Sequence, residues 1–253
     1  MARIVVWDEA IGGWPALHAA PLDRHGTPLP TVVVYHRFTQ SKEVDSNIAV
    51  MLAQAGLRAV LPEADRHGAR FDGDAASRIG GFWETLRSSI DELPALRDDL
   101  QARGWVDGDR VAVAGLSIGG FVALGCLARY EWLRAGVSWM GSAYFTDLAR
   151  TLYPPCGSYS DSTRAAHDAR MDAIAAYDPS TKLEQLASRP LMVWHGVRDD
   201  VVSFSEAARL HADMTRRGLA RNLELVADTN AGHRLGHAGA QAGVDFLKSA
   251  LAA

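Results

Sequence analysis

A serine hydroxyl becomes a useful nucleophile only with a turn that exposes it, a base that takes its proton and an acid that orients the base. The segment Gly115-Leu116-Ser117-Ile118-Gly119 has the first property, because it follows the strand-like run Val111-Ala112-Val113-Ala114 and precedes a helical pattern starting at Phe121. Glycines at 115, 119 and 120 omit the β-carbons that would collide in so tight a turn, so the Ser117 hydroxyl stands clear with the Ile118 N–H beside it. The other two properties come later in the chain. Leu191-Met192-Val193-Trp194 reads as a buried strand and runs into His195-Gly196-Val197-Arg198-Asp199-Asp200, while Leu223-Glu224-Leu225-Val226 leads to Gly232-His233. Carboxylates and an imidazole therefore lie just past the C-terminal ends of strands, where open α/β sheets carry their sites. A lone Gly-x-Ser-x-Gly string is often an ordinary turn. The chain order Ser117, Asp199, His233, with each residue at a strand end, makes it a candidate catalytic triad.

The elements that must position these residues follow from periodicity. Residues 4–7 and 31–35 are strand-like, with a turn-rich connection at 21–30; residues 49–56 form a helix stopped by glycine, and 58–62 a strand ended by proline. A strand, helix, strand unit of this kind implies parallel strands joined by a right-handed crossover. Residues 80–103 carry Phe82, Leu86, Ile90, Leu93, Leu96 and Leu100 on one apolar stripe, and Pro94 within it predicts a kink or a break. A strand at 137–140 follows the serine's helix, and the last helix spans about 237–251.

Between these strands the stretch 143–189 is longer than a simple crossover. It has a loop at 153–158, a helix-like 165–177, an N-cap at Asp178-Pro179, and capping-box spacing at Thr181 and Glu184 that announces a short helix. The reading is an α/β fold with a mostly parallel central sheet flanked by helices, one domain over 1–253, and a short helical lid insert at about 143–189.

Composition narrows the class. The 253 residues are 48% hydrophobic and 22% charged, ordinary for a globular chain, and the net charge of −4 comes without a basic block. This argues against nucleic-acid or polybasic membrane partners. No apolar run reaches the ~20 residues of a membrane span and no signal-peptide pattern opens the chain, so the expected location is cytoplasmic. Cys126 and Cys156 give neither a disulfide framework nor zinc spacing. His233 and His237 are four apart, but Gly236 interrupts a helix there and no third ligand is spaced to join them, so no metal is expected.

The order Ser117, Asp199, His233 resembles that of the α/β-hydrolases. Further segments sharpen the likeness: Tyr35-His36-Arg37-Phe38-Thr39, Ala53-Gln54-Ala55-Gly56-Leu57-Arg58, His67-Gly68-Ala69-Arg70-Phe71-Asp72-Gly73-Asp74 and Trp139-Met140-Gly141-Ser142. They resemble the small bacterial carboxylesterases of the YjfP type, relatives of dienelactone hydrolase. The resemblance implies the α/β-hydrolase fold, activity on short-chain carboxylic esters through an acyl-enzyme, a small-molecule ester as partner and no cofactor; it leaves the oligomeric state unknown. It also implies Asp199, and not Asp200, as the acid, and an oxyanion hole made by the N–H groups of Ile118 and Phe38. His36 and His195 are read as structural groups at strand ends.

Peptidase, thioesterase and acyltransferase chemistry share the same acyl-enzyme. A non-catalytic binding protein on the same fold is the reading from a different class. One departure from the family pattern stands out: Arg37 occupies the position of a glycine beside the oxyanion loop. If that backbone needs a positive φ, arginine strains it; if not, the guanidinium is free to serve the pocket mouth or to face solvent.

Overall fold

Gly12-Gly13 opens the architecture. In the computed structural model, which describes residues 3–151 and 161–252, the first strand does not stop near residue 7. β1 (Ile4–Ile11) turns back at Gly12-Gly13 into β2 (Trp14–Pro21), paired antiparallel from Ile4 with Pro21 to Ile11 with Trp14. Both glycines have positive φ, 60° and 94°, the signature of the two-residue hairpin turns whose twist suits paired strands. β2 is not among the strands that periodicity predicts, although Gly-Gly between two apolar runs is the signal of such a hairpin.

The remaining strands are β3 (Leu29–Tyr35), β4 (Arg58–Pro62), β5 (Val106–Leu116), β6 (Ala135–Trp139), β7 (Leu191–Gly196) and β8 (Leu223–Asp228). The sheet order is β1-β2-β4-β3-β5-β6-β7-β8. β2 joins β4 antiparallel, and every pairing from β4 to β8 is parallel. Helices connect them: α1 (Ser46–Gln54), α2 (Ala75–Gly80), α3 (Phe82–Ala102), α4 (Ile118–Arg129), α5 (Phe145–Leu148), α6 (Asp161–Ala175), α7 (Leu183–Ala187), α8 (Phe204–Arg216) and α9 (His237–Ala250).

Side chains alternate across a strand, so the two faces build two cores. Val33, Val113 and Val193 pack with α3, α4 and α8 through residues such as Ile90, Phe121 and Leu210. Val32, Val34, Ala112, Ala114 and Met192 pack with α1 and α9 through Ile48, Leu52, Val244 and Leu247. Each fully buried aliphatic side chain contributes roughly 1.5–3 kcal/mol, which is why β3, β5 and β7 read as continuous apolar runs.

Pro94 neither breaks nor ends α3. A proline leaves the carbonyl four residues back without its helical donor, and here the Tyr130 hydroxyl donates to that Ile90 carbonyl at 3.0 Å. In the stretch 143–189 the expected loop at 153–158, with Cys156, lies outside the described residues. Asp178 caps a turn of 3₁₀ helix by accepting the Ser180 N–H. The capping box at Thr181 does not form: its hydroxyl donates to the Asp178 carbonyl, and α7 starts after Lys182.

Candidate active site

Ser117 sits at the end of β5 with φ 56° and ψ −118°, a strained left-handed turn before α4. A β-carbon on Gly115 would fall 2.1 Å from the Gly119 carbonyl oxygen, and one on Gly119 would fall 2.1 Å from that of Tyr35. Only glycine fits at either place. The turn is pinned by the Ser117 N–H, which donates to the Trp139 carbonyl on β6 at 2.9 Å. Ile118 opens α4, so its N–H is one of the helix's first donors, which have no acceptor within the helix.

Three side chains meet there. The Ser117 hydroxyl lies 2.8 Å from Nε2 of His233, and Nδ1 of His233 lies 2.7 Å from Oδ2 of Asp199. The other carboxylate oxygen, Oδ1, accepts the N–H groups of Val201 and Val202, both at 2.9 Å. Burial alone would raise the Asp199 carboxyl, but hydrogen bonds from His195, His233 and those two N–H groups outweigh it and hold the carboxyl far below the usual range. The group stays an anion. Asp200, its neighbour, is exposed.

His195 is fully buried, with Nε2 2.7 Å from the Val202 carbonyl oxygen and 3.2 Å from Asp199 Oδ2. It is structural, as its strand-end position suggested, but what it structures is the acid itself. No local pattern of spacing links His195 to Asp199.

A cleft of about 270 Å³ opens beside Ser117, with Phe38, Phe82, Phe121, Val201 and Arg37 among its lining residues. Phe38 and Phe82 meet edge to face at 5.0 Å between ring centres. Phe82 and Phe121 belonged to apolar helix patterns, and nothing in that spacing says a helix face ends at a cleft. Trp139, Tyr144 and Phe145 are buried away from it. Among the described residues, none from 143–189 lines this cleft; α6 instead leans on α2 and α3, where the Arg170 guanidinium donates to the Gly80 carbonyl at 2.7 Å. A larger cavity of about 650 Å³ lies far from the serine, near Asp107, Trp132, Arg134 and Arg189 at the other end of the strands.

Arg37 does not have the positive φ under which arginine would strain the backbone. Among the described residues other than glycine, positive φ occurs at Thr39, Arg66, Ser117 and Met140. Arg37 lines the cleft mouth, but its guanidinium is committed: Nη2 donates to Oδ1 of the buried Asp45 at 2.8 Å. No helix among the described residues is long and apolar enough to cross a membrane.

Comparison with known proteins agrees with this architecture. Residues 46–252 match the model of the prolyl oligopeptidase family. The esterase YjfP of Escherichia coli (strain K12) is 41% identical over 237 residues, 94% of this chain and 95% of that one. Among solved structures, TT1662 from Thermus thermophilus superposes with a TM-score of 0.78 at 22% identity over 99% of each chain. An acylaminoacyl peptidase from Pyrococcus horikoshii gives 0.69 at 13% identity, covering 97% of this chain but only 40% of its own. The two structural likenesses concern the fold alone.

Proposed function

This chain belongs to the prolyl oligopeptidase family, serine hydrolases of the α/β-hydrolase fold, and from that premise we propose that it is a carboxylesterase acting on short-chain esters through Ser117, His233 and Asp199. The observation that carries the reading is the continuous hydrogen-bonded chain from the Ser117 hydroxyl through His233 to a buried, ionised Asp199. The similarity to an esterase over nearly the whole length supports the reaction class.

In this mechanism the Ser117 oxygen attacks the ester carbonyl while Nε2 of His233 takes its proton. The tetrahedral oxyanion accepts the N–H groups of Ile118 and Phe38. The imidazolium, stabilised by Asp199, returns the proton to the departing alcohol, and water repeats the sequence on the acyl-serine. The chemistry calls on no cofactor.

A cleft of about 270 Å³ walled by Phe38, Phe82 and Phe121 suits an acyl group of few carbons. The insert at 143–189 is proposed as a short lid within one domain, its support being its place after the strand next to the serine. The partner is a small-molecule ester, and the proposed location is the cytoplasm. A fluorophosphonate probe should label Ser117, identified by peptide mass spectrometry, and p-nitrophenyl acetate to butyrate should give the highest kcat/KM. A preference for long fatty acyl chains would contradict the small cleft.

A further inference from the structure

The loop after β3 turns through Arg37-Phe38-Thr39-Gln40, with the Gln40 N–H donating to the Arg37 carbonyl at 3.2 Å. Its third residue, Thr39, has φ 62°. That left-handed conformation is disfavoured for any residue with a β-carbon, and a β-branched side chain is rarely found in it. Such strain persists only where surrounding contacts over-determine the backbone. The contact here comes from His67, 28 residues further along the chain.

His67 is fully buried. Its Nδ1 faces the Asp65 carbonyl oxygen at 2.7 Å, so the ring proton sits on that nitrogen. Nε2 is left with a lone pair, and it accepts the Thr39 N–H at 2.9 Å. Burial pushes the His67 pKa down to about 4, against the pull of the Asp65 carbonyl, which keeps the ring a neutral acceptor near pH 7. The ring also packs against Phe38, with 5.1 Å between centres. The segment that carries His67 is itself anchored: Glu63 accepts the N–H groups of Lys42 and Ala69 at 3.1 and 3.2 Å, and Arg70 grips Glu92 through two bonds of 2.8 and 2.9 Å.

We infer that His67 is a positioning residue for ester hydrolysis: its Nε2 holds Thr39, and with it the whole turn, in the strained form that directs the Phe38 N–H toward the oxyanion. This rests on the acyl-transfer reading above and extends it to a side chain that touches no reacting atom. Because the oxyanion exists only after attack, a relaxed turn weakens transition-state binding and leaves ground-state contact with the aromatic cleft nearly unchanged.

The test uses the full chain, p-nitrophenyl butyrate, and a short-chain trifluoromethyl ketone whose serine adduct carries an oxyanion in the same place. His67→Leu lacks the lone pair and should lower kcat roughly 10- to 100-fold, up to the ~10²-fold cost of a ~1 Å misplacement and short of the ~10²–10³-fold cost of losing an oxyanion donor outright. KM should stay within about twofold, and the ketone should weaken by a factor similar to the kcat loss. His67→Gln, whose Oε1 offers an acceptor near the place of Nε2, should recover most of the loss. If His67→Leu does not fold, His67→Phe keeps the ring volume without the acceptor and replaces it against His67→Gln. Unchanged kcat, a loss confined to KM, or a glutamine variant no better than leucine or phenylalanine would overturn the inference. Wild-type protein that neither reacts with the fluorophosphonate nor cleaves the ester would instead overturn the esterase reading on which it stands.

Discussion

The proposed site has two halves, and they are held by different means. In the acid–base half, support is local: Asp199 is fixed by N–H groups two and three residues ahead and by His195 four residues behind. Its loop is laced to the histidine's loop by Val197 N–H to the Asp228 carbonyl at 2.8 Å and Arg198 N–H to the Ala231 carbonyl at 2.9 Å. In the oxyanion half, the turn after β3 is held by a histidine from a separate segment. The first half depends on a group kept charged, the second on a group kept uncharged. Local, ionic support reacts sharply to loss of one atom; distant, neutral support reacts to the state of a second loop.

The largest expected effect removes the acid–base half at its reacting atom. Ser117→Ala should lower ester turnover by roughly 10⁴–10⁶-fold with little change in melting temperature, and substantial residual hydrolysis would end the serine mechanism. Next, Asp199→Asn should lower kcat by about 10⁴-fold, whereas Asp200→Asn, at an exposed position, should stay within about threefold. The reverse order would move the acid to the neighbouring residue.

Acid titration separates the halves by stability. The His67 pKa of about 4 lies below its ordinary 6.5, so on acidification the unfolded chain takes the proton first. Stability from this residue is complete above pH 6.5 and drains as pH falls toward 4, by about 3 kcal/mol at most. Asp199 is lowered from 3.8, so its contribution is complete above that pH and is lost only below it. Urea unfolding at pH 6.5, 5 and 4 should therefore show a shallower fall for His67→Gln than for wild type. His18, also pushed to about 4 by burial, contributes equally to both. Equal slopes would dissolve the contrast.

The smallest effect belongs to Arg37→Gly. With no positive φ at 37 to relieve, kcat on neutral esters should change by less than about threefold. Leaving the buried Asp45 without its partner should cost about 1 kcal/mol, a figure reduced because the Arg37 side chain is 33% exposed. A selective loss on carboxylate-bearing esters would show instead that the guanidinium serves substrate.

The difference between the halves also explains what the sequence made legible. Ser117 and His233 are marked by glycine spacing and strand-end placement, and Asp199, the proposed acid, is marked by the resemblance to the small esterases through its distance to His195-Gly196. These are local signals for locally supported groups. His67 carries no such mark, because its role lies in a contact between two loops that periodicity does not relate. The same holds for Pro94, whose helix survives through a tyrosine beyond the next strand and helix, and for the strain that falls on Thr39 when the family pattern draws the eye to Arg37. The β1–β2 hairpin is a different case, since Gly12-Gly13 between two apolar runs is itself a local signal of the turn. Thr181 had the right spacing for a cap, but its hydroxyl found a nearer carbonyl.

The bond between Ser117 and His233 closes a loop of chain 116 residues apart in sequence. Its far end hangs from β8, a margin strand that pairs with β7 alone and has no fully buried residue. A strand held on one side opens at lower free energy than the strands within the sheet. On warming, the histidine's loop should part from the serine before the inner strands of the sheet separate. Activity should then fade below the melting transition and return on cooling, because one strand zipping back restores the contact without refolding of the chain.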